Sequence, residues 1–431
     1  MEWCIYNYLY YSKKAKKHLL YSSLSNMFVE LNDEAYQAIL RIKSNPDSTE
    51  AKAEQFRFLF DKRFIVESNK VEQNKLILTT LSQRYQTNSM SLTIAPTNGC
   101  NFACPYCYES NKKFNHMSKR VEDGLIDFIK RGDTIRSLNV TWYGGEPTTA
   151  LKTLKSLSFR MQEAVKYYNA HMITNGYNLD KIVDDIENLK ITRIQITLDG
   201  TKPSHDKTRC LIGGQGSFDK IISNIKLLLS KNDKVRIAIR MNISNDNKDE
   251  YEKLYHYLET TFNKSKQIHL YPAFVEDYTG CQLGNCFENN KEKAKFLKKL
   301  FYEKGISSYS LYPERCGKGC MRQTMNAFVV GPMGELYKCW HHLGVKEKIV
   351  GNIFEKNVIT NFTELTKMMI DNDVLFDTKC KKCVLFPSCN GGCADIKDNN
   401  NNVCALAKSM LSDFLDVRYV QNNNNLVSLQ N

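Results

Sequence analysis

Strand-like and helix-like patterns alternate over the middle of the chain. Six short runs rich in apolar and β-branched residues are each followed by a stretch with apolar residues at helical spacing, such as SKRVEDGLIDFIKRG, LDKIVDDIENLK and DKIISNIKLLLSK. The strand-like runs are SLTIAP, LNVTWYGG, AHMITNG, RIQITLDG, VRIAIRMNIS and IHLYPAFV. Regular alternation of this kind predicts a parallel sheet, closed or partly closed, so the fold class is α/β.

The pattern changes on both sides of this region. Residues 1–88 combine strand-like LLYSSLSNMFVEL with helix-like NDEAYQAILRIKS and EAKAEQFRFLFDKR, which predicts a small α+β domain of winged-helix type. Residues 89–309 then form the α/β domain. Residues 310–415 form a cysteine-rich domain, and we expect the polar tail, residues 416–431, to be mobile.

Composition narrows the class of protein. The chain has 431 residues, of which 42% are hydrophobic, enough for two or three globular domains. It has neither an apolar run of 18 residues nor a signal-peptide pattern, so we expect a soluble cytoplasmic protein without a membrane partner. The net charge is +13, but the lysines are spread along helical segments and no recognition motif accompanies them. We therefore expect no nucleic-acid partner.

Cysteine is the unusual residue, because 14 of the 15 cysteines lie at or after position 100. Clustered cysteines in a reducing cytosol more often bind metal than form disulfides. The first cluster is CNFACPYC, with Cys100, Cys104 and Cys107 directly after the first predicted strand. A structural zinc or an ordinary iron–sulfur cluster takes four protein ligands. Three cysteines leave one metal position without a protein ligand, and an open position favours catalysis.

The C-x3-C-x2-C spacing, with Tyr106 just before the last cysteine, resembles the signature of the radical SAM enzymes. The resemblance implies a partial (β/α)6 TIM barrel in which the three thiolates hold three irons of a 4Fe–4S cluster. The fourth iron would bind the amino and carboxylate groups of S-adenosylmethionine (SAM). Reductive cleavage of SAM would then supply a radical that abstracts hydrogen from the substrate. An electron donor such as flavodoxin or ferredoxin is implied as a partner.

The ends of later strands resemble SAM-binding motifs of the same family. GGEP ends the second strand, where the glycines let the backbone approach the SAM ammonium. Thr197 and Asp199 are placed at the ribose or the substrate, and Arg240 at the SAM carboxylate. The implied cofactor-binding residues are Tyr106, Gly144, Gly145, Glu146, Pro147, Asn175, Thr197, Asp199 and Arg240.

The C-terminal cysteines match the spacing of the SPASM domain, which follows many radical SAM domains. The resemblance implies two auxiliary 4Fe–4S clusters, hence three clusters in all. The first would be held by Cys320, Cys339 and Cys393, with Cys316 as a candidate fourth ligand or with an open iron. The second would be held by Cys380, Cys383, Cys389 and Cys404.

Three functions remain open at this point. A maturase that oxidatively cross-links a ribosomally made precursor peptide is favoured by the N-terminal α+β segment, which resembles leader-peptide recognition domains. An anaerobic sulfatase-maturating enzyme, which makes formylglycine, would carry an aspartate after Cys339. This chain has Trp340, followed by His341 and His342, which are candidate proton-transfer groups. The third alternative, a non-catalytic electron-transfer protein, is disfavoured by the intact SAM motifs. No catalytic base is predicted.

Overall fold

The computed structural model describes the chain in several segments and divides it into two compact units. One unit comprises residues 1–84, 289–320 and 372–431, and the other comprises residues 85–288 and 321–371. The described residues are 1–107, 114–276, 286–307, 319–371, 373–389, 391–393, 404–421 and 426–428.

Fifteen strands are described, numbered in chain order. They are β1 Glu2–Trp3, β2 Asn7–Ser12, β3 Lys17–Ser22, β4 Met27–Leu31, β5 Ile65–Val66, β6 Ser89–Ile94, β7 Ser137–Trp142, β8 Tyr167–Thr174, β9 Ile191–Thr197, β10 Arg236–Ile243, β11 Ile268–Phe274, β12 Ala327–Val330, β13 Glu335–Tyr337, β14 Gly351–Asn352 and β15 Leu426–Ser428.

Twelve α-helices are described in the same residues, and short 3-10 turns connect several of them. The helices are α1 Asp33–Ser44, α2 Phe58–Asp61, α3 Asn69–Arg84, α4 Lys119–Lys130, α5 Leu151–Ala164, α6 Lys202–Thr208, α7 Phe218–Lys231, α8 Glu250–Thr261, α9 Asn290–Lys304, α10 Phe362–Thr366, α11 Thr378–Lys381 and α12 Leu411–Gln421. None of the described helices has the length and apolar character needed to cross a bilayer.

The first unit contains an antiparallel meander, β2–β3–β4, with β15 parallel to the outer edge of β4. Successive residues of its strands point to opposite faces. On one face Leu20 and Val29 pack with Ile39 of α1. On the other face Leu19 and Phe28 belong to a cluster that includes α12. The sheet is therefore covered on both sides.

Helix α12 is part of this N-terminal sheet's core although it lies more than 380 residues away in sequence. Leu415 of α12 is fully buried in the cluster with Tyr10 and Tyr21. The Tyr10 hydroxyl donates to Asp416 Oδ1 at 3.1 Å, and the Tyr419 hydroxyl donates to Glu30 Oε1 at 2.5 Å. The tail that the sequence predicts to be mobile thus begins inside a packed helix.

The second unit is built on a nine-stranded sheet in the order β11-β10-β9-β8-β7-β6-β12-β13-β14. Strands β6 to β11 are parallel and adjacent in chain order, and they correspond to the six strand-like runs of the sequence. The prediction of an α/β fold with a parallel sheet is confirmed. Strand β12 continues the sheet in parallel beside β6, and β13 and β14 extend it as antiparallel strands.

One predicted helix, LDKIVDDIENLK, is wrong. The structure has 3-10 turns at Leu179–Lys181 and Val183–Asp185 instead of an α-helix. Its apolar residues recur at mixed intervals of three and four, which is why the pattern predicts an α-helix, and Ile182, Ile186 and Leu189 are fully buried in the observed arrangement. Two short 3-10 turns thus bury the apolar side chains that the predicted helix would have buried, without one continuous α-helix.

Candidate active site

The cysteine loop lies at the C-terminal ends of the parallel strands, directly after β6. Its backbone is joined to the loop after β9, because Ala103 N–H donates to Cys210 O at 3.0 Å and Ile212 N–H donates to Asn101 O at 3.1 Å. Within the loop, Cys107 N–H donates to Cys104 O at 3.1 Å. The first two contacts hold residues 101–103 against residues 210–212, which follow α6, and the third closes a turn within the cysteine loop. The loop therefore lies at the end of the parallel sheet where ligands bind.

The buried thiols of this loop suit a metal cluster. Burial raises the pKa of Cys100 to about 12, and it also raises the pKa of Cys104. A metal ligand must be deprotonated, and a bound cluster would supply the positive charge that stabilises these thiolates. No three His, Cys, Asp or Glu side chains among the described residues are close enough to share one ion. A cluster is compatible with that wider spacing, because each thiolate binds a different iron.

The two glycines of GGEP pack against the backbone that leads into the cysteine loop. Gly144 has φ of +110°, and a β-carbon there would lie 2.3 Å from Thr97 O. A β-carbon on Gly145 would lie 2.4 Å from Gly99 O and 2.5 Å from Asn98 O. The close approach of two backbone segments requires glycine at both positions.

Glu146 joins two strand ends with its carboxylate. Oε1 accepts from Thr148 N–H at 3.0 Å, from Thr148 Oγ1 at 2.6 Å and from Thr174 Oγ1 at 2.7 Å. Oε2 accepts from Asn175 N–H at 2.6 Å. Burial raises the pKa of Glu146, and these four hydrogen bonds oppose the rise. The adjacent Pro147 is buried and begins a 3-10 turn.

Asn175 extends this network to the cysteine loop. Its Nδ2 donates to Asn101 Oδ1 at 2.7 Å and lies 4.0 Å from Cys100 Sγ. Its Oδ1 accepts from Tyr177 N–H at 3.0 Å. The side chain is therefore fixed beside the first cysteine, as the sequence pattern requires for a residue near the cofactor.

Tyr106 and Asp199 meet at the other side of the loop. The Tyr106 hydroxyl donates to Asp199 Oδ2, and Asp199 Oδ1 accepts from Asn242 N–H at 3.1 Å. Thr197, at the end of β9, is partly buried. The structure thus brings together two predicted site residues, Tyr106 and Asp199, with Asn242 of β10, which the sequence motifs did not indicate.

Arg209 is a site residue that the sequence motifs do not reveal. Its Nη1 donates to the Tyr106 hydroxyl at 2.7 Å, and its guanidinium lies 5.7 Å from the centre of the Phe102 ring. The positive charge of Arg209 opposes the burial that raises the pKa of Cys104. Its Nε is buried without a hydrogen-bond partner. A partly buried cation with an unsatisfied donor beside the cysteines fits an anionic ligand such as the SAM carboxylate.

A neutral histidine supports the loop that carries Arg209. His205 Nδ1 accepts from Asp199 N–H at 3.3 Å, so the ring proton lies on Nε2, which is 2.9 Å from Ser217 Oγ. Ser217 Oγ in turn donates to Arg209 O at 2.7 Å. Burial lowers the pKa of His205 to about 3.

We expect acid to loosen this loop. The His205 imidazole is protonated near pH 6.5 when the loop is unfolded but only near pH 3 when it is folded. The loop therefore loses stability as pH falls between these values. From pH 7 to pH 5 the opening free energy of residues 199–217 should fall by about 2 kcal/mol. Hydrogen exchange, corrected for its intrinsic pH dependence, measures this. His205→Gln should abolish the pH dependence, and an equal dependence in both proteins would contradict the assignment.

Four cysteines converge in the first unit. Burial raises the pKa of Cys389, and the nearby Cys383 and Cys404 thiolates raise it further. The hydrogen bond with Cys404 and the charges of Cys383, Cys404 and Cys380 likewise raise the pKa of Lys408. Lys408 Nζ lies 3.4 Å from Cys404 Sγ. These are the four cysteines that the sequence groups around the second auxiliary cluster. The lysine places a positive charge where four thiolates would gather.

The other predicted auxiliary ligands are distributed differently. Cys320 and Cys393 belong to the first unit and Cys339 to the second. Cys316 lies outside the described residues. Cys339 follows β13, and the preceding Lys338 is fully buried, with Nζ donating to the carbonyls of Thr324, Met325 and Ala327 at 2.7–3.0 Å. Burial lowers the pKa of Lys338 to about 7.

The fold and this cysteine site define a radical SAM domain. Residues 94–258 match the radical SAM superfamily. This part of the chain is therefore a radical SAM domain, and the radical SAM superfamily uses a 4Fe–4S cluster and SAM.

Similar proteins include maturases of two kinds. A cysteine-type anaerobic sulfatase-maturating enzyme of Clostridium novyi is 27% identical over 346 residues, which cover 72% of this chain and 90% of that protein. The sporulation killing factor maturation protein SkfB of Bacillus subtilis is 29% identical over 157 residues, covering 36% of this chain and 37% of that protein.

Solved structures show the same fold. The protein anSMEcpe with bound AdoMet has a TM-score of 0.62 at 23% identity, covering 79% of this chain and all of that one. Streptococcus suis SuiB bound to the precursor peptide SuiA has a TM-score of 0.54 at 14% identity, covering 92% of this chain and 96% of that one.

Proposed function

We propose that the protein is a maturase that oxidatively cross-links a ribosomally made precursor peptide. The observation that carries the proposal is the residue after Cys339. The sulfatase-maturase pattern has an aspartate there, whereas this chain has Trp340. The Trp340 ring packs on Tyr143, with ring centroids 5.8 Å apart and planes inclined by 30°. An aromatic pair thus occupies the position of the expected carboxylate.

The aromatic pair lies where a substrate would meet the reactive centre. Burial raises the pKa of the Tyr143 hydroxyl. The Arg240 charge lowers this pKa, and the charges of Cys107 and Cys339 raise it further. Tyr143 is therefore close to a cysteine of the SAM-cluster loop and to a predicted auxiliary ligand. Two aromatic rings give an apolar wall that excludes water and orients a peptide side chain.

Three 4Fe–4S clusters belong to the proposal. Cys100, Cys104 and Cys107 would hold the SAM cluster, which with SAM supplies hydrogen abstraction when bound. The auxiliary clusters follow the two cysteine groups described above, and the electron donor would be a flavodoxin or ferredoxin. The convergence of Cys380, Cys383, Cys389 and Cys404 around Lys408 supports the second auxiliary cluster.

The chain's own groups are suited to hold SAM. Gly144 and Gly145 would let backbone carbonyls approach the SAM ammonium and accept its protons. The Glu146 carboxylate is less suited to that role, because protein donors already bind it. Asn175 fixes the loop beside Cys100, and Arg209 offers its unpaired Nε to the carboxylate. Thr197 and Asp199 remain the proposed ribose or substrate contacts.

The N-terminal sheet is the proposed leader-binding element. The β2–β3–β4 meander is followed by helices α1 to α3, an α+β arrangement that fits peptide recognition by strand addition. SuiB, whose fold covers 92% of this chain, is described with a precursor peptide bound. Both faces of the sheet are packed, so its edges are the surfaces on which a peptide backbone would pair.

Leader binding should protect this sheet from hydrogen exchange. With the full chain, we expect a precursor's leader peptide to slow exchange in residues 7–31, because new backbone hydrogen bonds would form at a strand edge. A scrambled leader is the control. Protection confined to other segments, or equal protection by both peptides, would exclude the leader role.

The alternative is formylglycine formation, favoured by the similarity to the Clostridium novyi sulfatase-maturating enzyme over 90% of that protein. Mass spectrometry separates the two. A cross-linked precursor peptide is lighter by two hydrogen atoms per modification and contains no new carbonyl. A formylglycine product contains an aldehyde that a hydrazide reagent captures, and its formation from a sulfatase-type peptide would overturn the cross-linking proposal.

A further inference from the structure

The parallel sheet β6–β11 has one apolar and one polar face. On β10, Ile237, Ile239 and Met241 are buried, whereas the alternate positions, including Arg236 and Arg240, are not. Paired residues of neighbouring parallel strands point to the same side. Register pairs His171 with Arg193, Arg193 with Arg236, Thr197 with Arg240, and Arg240 with Tyr271. We call this side of the sheet the polar face.

The polar face carries charge of one sign. Three arginines, Arg193, Arg236 and Arg240, lie on it, and none forms an ion pair with a described residue. None of the six strands contains an aspartate, a glutamate or a lysine. Two carboxylates at the strand ends already have protein donors: Asp199 accepts from the Tyr106 hydroxyl and Asn242 N–H, and Glu146 accepts from Thr148, Thr174 and Asn175. A cationic surface without counter-charges favours an anionic ligand.

Arg240 lies at the reactive end of this face. Its Nε donates to Asn242 Oδ1 at 3.0 Å, which leaves the rest of the guanidinium for a ligand. Two phenols are near it: burial raises the pKa of Tyr143 and of Tyr271, and the Arg240 charge opposes both rises. The Tyr271 hydroxyl donates to Gln195 Oε1 at 2.6 Å, which anchors that phenol on the same face.

Because Arg209 is positioned to bind the SAM carboxylate, Arg240 is available to bind a different anionic group. Arg209 lies beside Tyr106 and Cys104, with a buried unpaired Nε. Arg240 is linked to Tyr106 through Asn242, whose Nδ2 donates to the Tyr106 hydroxyl at 3.3 Å. The Arg240 charge also acts on Tyr143, whose ring packs on Trp340. Two neighbouring cations suit two carboxylates, so Arg209 can bind the SAM carboxylate that the sequence pattern gives to Arg240, and Arg240 can bind a carboxylate of the substrate. An unpaired, partly buried arginine gains most from a bidentate carboxylate.

We propose that Arg240 binds an aspartate or glutamate side chain of the substrate peptide, so that the enzyme selects an acidic segment for modification. The inference rests on the proposed peptide substrate. Arg193 is on the same face and adds long-range attraction. The acidic side chain would be held at the Tyr143–Trp340 pair, which places a neighbouring peptide residue at the reactive centre.

Binding of matched peptides to the reconstituted holoenzyme with SAM tests this without turnover. The probes are fluorescein-labelled GSEGESG and GSQGQSG. We expect the glutamate peptide to bind about tenfold more tightly, because a charge-assisted pair replaces a neutral hydrogen bond. Arg240→Gln should remove this preference, and the SAM affinity of the variant, measured by equilibrium dialysis, is the separate readout of a cofactor role.

Arg236→Gln is the matched control. Arg236 is four residues earlier on β10, about 13 Å from Arg240, and its Nη1 donates to Lys266 O at 2.9 Å. This variant should retain the glutamate preference. The proposal is overturned if the unmodified enzyme shows no preference, if Arg240→Gln retains it, or if Arg240→Gln loses SAM affinity, which would assign Arg240 to the cofactor. The cross-linking proposal is tested separately by the mass of the peptide product, so its failure is distinguishable from a failure of the acidic-segment proposal.

Discussion

Replacing Cys100, Cys104 and Cys107 by alanine is expected to abolish SAM cleavage. The three thiols lie in one loop at the strand ends, and the raised pKa of buried Cys100 and Cys104 is the cost that a bound cluster offsets. The reconstituted protein should contain about twelve irons, and the triple variant should contain about eight. Iron analysis and 5′-deoxyadenosine formation measure the two effects.

Cys286→Ala is the control for this variant, because Cys286 belongs to none of the three cysteine groups. It should retain full iron content and SAM cleavage. Cys383→Ala should instead remove an auxiliary cluster and leave the SAM cluster in place. An iron content near four in the unmodified protein, or stoichiometric zinc, would contradict the three-cluster account.

Gly145→Ala is expected to disable the cofactor site by a backbone clash. The new β-carbon would lie 2.4 Å from Gly99 O and 2.5 Å from Asn98 O, and neither carbonyl moves without shifting the cysteine loop. Overpacking of this kind costs about 1–3 kcal/mol, so SAM affinity should fall about tenfold to a hundredfold. Equilibrium dialysis with the reconstituted protein measures the affinity.

Gly213→Ala is the matched substitution. Its β-carbon would meet only the side-chain end of Gln215, which can rotate away, so SAM affinity should change less than about threefold. Equal SAM affinity in Gly145→Ala and Gly213→Ala would show that the contact between GGEP and residues 97–99 does not shape the cofactor site.

The six parallel strands were predictable because each carries a strong local signal. Each is a short run with buried apolar residues, which alternate with more exposed positions in β9 and β10, and the site motifs lie directly after the strands. Asn175 and Asp199 therefore reach the cysteine loop as their sequence positions imply. Local patterns suffice when the site is built from consecutive strand ends.

The features that the sequence did not reveal depend on distant contacts or on side-chain partners. Helix α12 completes the N-terminal sheet through Leu415, and no local pattern connects positions 19 and 415. Arg209 lies in a loop without periodicity, and only its partner Tyr106 marks it as a site residue. The protein partners of Glu146 were not predictable for the same reason, because its four hydrogen bonds come from residues of two strand ends.

The most direct test of the account follows hydrogen from peptide to cofactor. A precursor peptide deuterated at its side chains is incubated anaerobically with reconstituted enzyme, SAM and a reductant. We predict deuterium in 5′-deoxyadenosine together with a peptide lighter by the two hydrogens lost, as expected of hydrogen abstraction followed by oxidation. SAM that remains intact, or 5′-deoxyadenosine without deuterium beside an unchanged peptide, would contradict the account.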